Sequence, residues 1–281
     1  MNYKDGKWAR EILNRQLQNG SWGYFHTLTK VPSKGPITTE QALRRLEILG
    51  FTIKDKPIQR TVKYLQNVLS GKDYIPDIPE KQLDWLKFRD LMISTWIKKF
   101  DPDNKIAYNV SKKWAEIVNN SFINGKFDTS IFEKLFYKIL NYDNTKKPIR
   151  FMTLYPISLV SNILSKDIEP LFFNYILNYG HITYFSYPKP LTILPELFES
   201  KGTKDYIMEI ELLTEYKNIE CKKQLQFVKK WIEKNKINNN EWDIGKNAND
   251  GLNFPLSDSW RLKENRIIDC TYRINKILNC L

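Results

Sequence analysis

Apolar residues recur at i, i+3, i+4 and i+7 along most of the chain, and the runs are broken by Gly, Pro, Asn and Asp. This pattern predicts about twelve helices, near 7–18, 39–49, 56–69, 79–99, 108–120, 129–141, 149–164, 168–178, 190–200, 203–216, 221–235 and 264–280. Several carry start signals: Thr39-Glu40 opens the second, Pro57 falls in the first turn of the third, and Asp128-Thr129 can cap the sixth. Gly50 stops the second helix. No run alternates long enough for a sheet, although His181 to Tyr187 reads as a short strand or an extended loop. With no low-complexity linker, residues 1–281 read as one all-α domain.

Within the helical pattern lies a degenerate repeat. The first copy reads Glu11-Ile12-x3-Gln16-x3-Gly20-x-Trp22, and a second reads Trp231-Ile232-x3-Lys236-x3-Asn240-x-Trp242 in the same frame. A weaker echo, Glu116-Ile117-x3-Ser121-x3-Gly125-x-Phe127, lies between them. The physical reading is a clamp. A helix ends, Gly or Asn takes the positive-φ position, and an aromatic ring folds back over the helix end. A long polar residue at the Gln16 position can hydrogen-bond free backbone groups nearby.

Gln16-x3-Gly20-x-Trp22-Gly23, followed by Thr38-Thr39-x2-Ala42-Leu43-x2-Leu46-x2-Leu49-Gly50 and Ile58-x3-Val62-x-Tyr64-Leu65, resembles the QW repeat of squalene-hopene cyclases and prenyltransferase-type α/α toroids. The likeness is good over residues 7–69 and returns around 225–280, where Asp258-Ser259-Trp260-Arg261 leads into the last helix. The resemblance implies an α/α toroid in which twelve helices make about six helical hairpins. The chain departs from the repeat pattern at Glu11, Lys236 and Asn240.

Class II cyclases of this kind protonate a polyene with Asp-x-Asp-Asp. The nearest segment here, Asp101-Pro102-Asp103-Asn104, lacks the last Asp and reads as a turn or helix cap. Prenyltransferase subunits hold zinc with Asp, Cys and His. Here Asp269 and Cys270 are adjacent, the only histidines are His26 and His181, and no metal site is expected. His26 follows Trp22-Gly23-Tyr24-Phe25 and is a candidate acid, base or hydrogen-bond donor. Trp22, Tyr24, His181 and Tyr184 are candidates for lining a ligand cavity, against the plainer expectation that aromatic stripes are core. No phosphate loop or nucleophile motif occurs, and no cofactor is expected.

The net charge of +12 favours an acidic partner, yet the basic residues are scattered and form no block of five, which argues against a nucleic-acid surface. Cys221, Cys270 and Cys280 form an odd set without Cys-x-x-Cys spacing, as expected for reduced thiols. The apolar stretch from Met152 to Leu164 is too short to span a bilayer, and no apolar leader follows Met1; the chain reads as cytoplasmic. The reading that best fits damaged catalytic motifs is a binding scaffold for a peptide, a partner protein or an elongated ligand. The alternatives are an enzyme acting on an isoprenoid or its diphosphate, and an (α/α) glycan-active enzyme with paired carboxylates.

Overall fold

The computed structural model describes residues 2–26, 37–179 and 187–281, apart from the side chain of Asn239. The chain is all-α. Among the described residues it forms twelve α-helices: α1 (Lys7–Leu13), α2 (Thr39–Ile48), α3 (Lys56–Leu69), α4 (Trp85–Phe100), α5 (Lys105–Asn119), α6 (Thr129–Leu140), α7 (Leu154–Val160), α8 (Ile168–Asn178), α9 (Lys201–Leu213), α10 (Ile219–Gln224), α11 (Gln226–Lys234) and α12 (Lys263–Leu278). A two-stranded hairpin, β1 (Phe122–Ile123) and β2 (Lys126–Phe127), separates α5 from α6. No helix among the described residues is long and apolar enough to cross a membrane.

Side chains set the helix limits. Thr38 and Gln41 form a reciprocal capping box at the start of α2, and Asp84, Asn104 and Asp128 accept backbone N–H bonds at the starts of α4, α5 and α6. On α3 the buried positions Ile58, Thr61, Val62, Leu65 and Val68 form one helical stripe, as expected for a helix with one wet face. All seven residues of α7 are buried, so this short helix is surrounded.

Several predicted elements differ. Residues 190–200 form turns rather than a helix: Pro195 removes a backbone donor and clashes with the preceding turn, and Ile193 N–H closes a tight turn onto Pro190 O at 2.9 Å. The predicted helix at 221–235 is two helices that break at Leu225. The predicted start at 79 moves to Trp85, because Asp84 provides the cap. His181 and Tyr184 lie outside the described residues.

The two chain ends meet. Tyr3 packs edge-on against Tyr272 and donates to Asp269 at 2.9 Å, while Trp8 Nε1 donates to Ser257 O at 2.9 Å. Pairwise packing joins α4 to α7, α7 to α9 and α9 to α12. Trp96 on α4 reaches Glu40 on α2, and Tyr272 on α12 lies against Gly50 just past α2.

Candidate functional site

One cavity of about 290 Å³ takes its walls from α2, α4, α7, α9 and α12, with Thr214, Glu215, Asn253 and Cys280 from adjoining segments. Helical spacing explains how the chain supplies them. Arg44, Glu47 and Ile48 share one face of α2; Met208, Glu211, Leu212 and Glu215 continue one face of α9; Arg273, Lys276, Ile277 and Cys280 do the same on α12. Ile48, Trp96, Leu154, Leu212 and Ile277 make the apolar wall. Lys276 is exposed and marks the mouth.

Inside, charges are matched locally. Lys99 bridges Glu47 at 3.2 Å and Glu215, which also accepts from Ser158 Oγ at 2.6 Å. Arg273, 1% exposed, binds Glu211 through Nε at 2.8 Å and through Nη2. Burial alone would favour neutral Lys99, but Glu215 and Glu47 outweigh it and hold the ammonium charged. Burial pushes the Glu47 carboxyl up, partly offset by Lys99. Although 38% of the Glu47 side chain is accessible, it lines the cavity, so that surface is cavity wall.

Behind this wall sits Glu40, fully buried, which accepts from Tyr155 OH at 2.6 Å and Trp96 Nε1 at 3.3 Å and lies 3.6 Å from Arg44 Nη2. The carboxylate thereby fixes Trp96 and Arg44, both cavity residues. His26 is next to this group, packed against Phe88 and Tyr155 with ring centroids 5.4 and 6.3 Å away. Its own backbone N–H and that of Phe25 donate to Asp77, each at 2.6 Å. Burial lowers the His26 pKa, against the pull of Glu40 and Asp77. His26 contributes to the core and does not line the cavity.

The other sequence candidates lie elsewhere. Asp101 caps the end of α4 and accepts from Asn104 Nδ2 at 2.9 Å; Asp103 is exposed and faces a separate surface groove with Lys98, Lys105 and Lys217. Asp269 is saturated by Tyr3, Ser257 and the Leu256 and Ser257 amides, and burial pushes the neighbouring Cys270 thiol up to about 12. Tyr24 is exposed and Trp22 is buried; neither reaches the cavity.

Trp22 and Trp242 belong to matching clamps. Trp22 Nε1 donates to Ile12 O at 2.8 Å and its amide to Thr39 Oγ1 at 2.9 Å; Trp242 does the same to Ile232 O and Thr271 Oγ1, at 2.8 and 3.0 Å. Gly20 and Asn240 hold φ of 93° and 63° ahead of the two rings. Gln16 Nε2 donates to Gly20 O, Pro57 O and Thr61 Oγ1, tying the segment after α1 to the first two turns of α3. Its counterpart Lys236 instead places its ammonium over the Trp242 ring. Trp231 packs on Phe198 and Tyr206.

The middle echo is a different structure. Asn124 and Gly125, with φ of 50° and 76°, make the tight turn of the β1–β2 hairpin, and Phe127 pairs across it with Phe122. The Asn-Gly pair, a strong short-range hairpin signal, overrides the clamp pattern here.

Sequence reasoning passed over the cavity charges. Their signal was present, because Glu211 and Glu215 keep helical spacing along and just past the mostly buried α9, and Arg273 continues the buried stripe of Asp269, Cys270, Ile274 and Ile277 on α12. Compared with known proteins, the chain matches no family model, no curated protein and no solved structure.

Proposed function

We propose that this chain is an α/α toroid of the terpenoid cyclase and prenyltransferase type that serves as a binding scaffold, its central cavity holding a small ligand. The observation that carries the reading is the cavity itself: five helices that are not sequence neighbours give it their side chains. Two matching tryptophan clamps near the two ends support the repeat architecture.

A scaffold fits better than a catalyst because the cavity acids are engaged. Glu47 and Glu215 share Lys99, and Glu211 holds Arg273. A proton donor for a polyene needs a carboxylic acid turned toward the substrate, and each of these carboxyl groups is instead engaged by a cation of the wall. At about 290 Å³ the cavity lies at the small end of the usual range for ligand sites.

Thermal shift with farnesyl diphosphate and with short amphipathic acids, run on wild type and on Ile277→Trp, tests this reading. The short acids should raise the melting temperature of wild type and leave the filled-cavity variant unmoved. Release of diphosphate or a cyclised product from farnesyl diphosphate would overturn the scaffold assignment in favour of an isoprenoid enzyme.

A further inference from the structure

Lysines that are scattered along the sequence are gathered by the fold into one surface groove. The outward face of α5 carries Lys105, Tyr108, Asn109, Lys112, Lys113 and Glu116, at i, i+3, i+4, i+7, i+8 and i+11, while Ala107, Ser111, Trp114 and Val118 turn into the core. Two depressions along this face meet at Tyr108 and Ile163. The opposite wall comes from residues 161–163, just past α7, and from Lys217, beyond α9. Asn162 holds that wall together: its Nδ2 donates to Glu215 O and its Oδ1 accepts from the Lys217 amide, each at 2.7 Å.

The groove has more positive charge than it can neutralise. Lys98, at one end, is already engaged, its ammonium donating to Ser158 O, Leu159 O and Ser161 O and so capping the end of α7. Lys105, Lys112, Lys113 and Lys217 are exposed, and none forms an ion pair among the described residues. Against these four the groove sets two carboxylates, Asp103 and Glu116. The Lys112 ammonium lies over the Tyr108 ring, 5.8 Å from its centroid, which orients the charge without cancelling it.

The geometry points to this groove as the docking site of an extended acidic peptide segment of a partner protein. Charge complementarity carries the assignment, and the dimensions fit it. The fifteen residues of α5 span about 22 Å, which about seven residues of extended chain would cover. Acidic side chains of the segment face Lys105 and Lys112 on one wall and Lys217 on the other, Asn109 offers an amide donor and acceptor to its backbone, and Ile163 receives an apolar side chain. Single-stranded nucleic acid needs open aromatic faces for its bases, and the ring that lines this groove is covered by Lys112. The groove shares no lining residue with the cavity between α2, α4, α7, α9 and α12, so the two assignments stand or fall separately.

Fluorescence anisotropy of the full chain with a labelled seven-residue peptide of alternating glutamate and leucine tests the assignment, beside a lysine–leucine peptide and a single-stranded oligonucleotide of equal length. The acidic peptide should bind, and more weakly as salt rises. Reversing Lys105, Lys112 and Lys217 together to Glu should weaken it about tenfold or more. Reversing Lys63, Lys230 and Lys263, exposed on α3, α11 and α12, changes the net charge equally and should weaken it far less. If the first triple variant does not fold, Lys217→Glu alone, outside any helix, should still weaken binding about threefold. Equal losses in the two triple variants would assign the binding to diffuse charge and overturn the groove. Tighter binding of the oligonucleotide, binding of the lysine–leucine peptide, or no binding of the acidic one would each overturn the proposed partner.

Discussion

Trp22 and Trp242 each donate the indole N–H to a backbone carbonyl ten residues upstream, Ile12 and Ile232, at 2.8 Å in both cases. Each also gives its amide N–H to a threonine hydroxyl on a helix that follows later in the chain, Thr39 on α2 and Thr271 on α12. The clamps therefore join a helix that has ended to one that comes later. Trp22→Ala and Trp242→Ala should each cost about 3–5 kcal/mol, the usual range for truncating a fully buried large aromatic. Phe at either position keeps most of the ring packing and should cost less. Urea unfolding of the four variants measures this, and a neutral Trp22→Ala would remove the clamp from the account.

Gly20 offers a backbone test of the same clamp. Its φ is 93°, and a Cβ there would stand 2.7 Å from the Arg60 carbonyl carbon and oxygen. Gly20→Ala combines backbone strain with a clash against α3 and should lose about 2–4 kcal/mol. Gly125 has φ of 76° but nothing within 4 Å of its added Cβ, so Gly125→Ala should lose only about 1 kcal/mol. Equal losses in denaturant melts would mean that the close approach to α3 carries no weight.

Glu209 makes stability depend on pH. It is 1% exposed, its Oε1 has no partner among the described residues, and burial, aided by Asp205, pushes its carboxyl up to about 8. The folded state thus holds this proton at pH values where the unfolded chain has released it. Stability from this group is complete below the ordinary carboxylate range and is lost as pH rises through about 8. Glu209→Gln should abolish the loss, and the gap between variant and wild type should open by roughly a few kcal/mol between acid and pH 8.5. Parallel stability curves for the two proteins would contradict the assignment.

Lys99 neutralises two carboxylates in the cavity wall. Lys99→Met leaves Glu47 and Glu215 facing each other in the cavity wall and should cost about 2–4 kcal/mol, less than a fully desolvated pair because both acids keep some accessible surface. Adding Glu215→Gln should recover more than half of that loss. A double-mutant cycle with no coupling would show that the bridge is incidental.

The helices were mostly legible, because amphipathic spacing and start signals such as Pro57 and Asp128 act within a few residues of one another. The segment at 190–200 misled because its apolar spacing is helical while Pro195 forbids the backbone to follow. The clamp at Trp22 was legible as a helix-end device; Gly125 was not, since an Asn-Gly turn and a helix stop share the same positive-φ signal. The cavity charges were hidden for a different reason. Arg44, Lys99, Glu211 and Arg273 come from α2, α4, α9 and α12, and mixed charges at helical spacing look in sequence like a solvated face. Only the packing of the later helices against the earlier ones turns that face inward.

The central claim is that the cavity between α2, α4, α7, α9 and α12 is a binding site. Of the four methionines, Met208 lines it, whereas Met92 and Met152 are buried elsewhere. Carbon–proton spectra of protein labelled at the methionine methyl groups, recorded during titration with short amphipathic acids such as hexanoate, report on the cavity directly. The account predicts that hexanoate shifts the Met208 methyl while those of Met92 and Met152 stay in place. No shift of Met208 with any of these acids, or an equal movement of all three methyls, would contradict it.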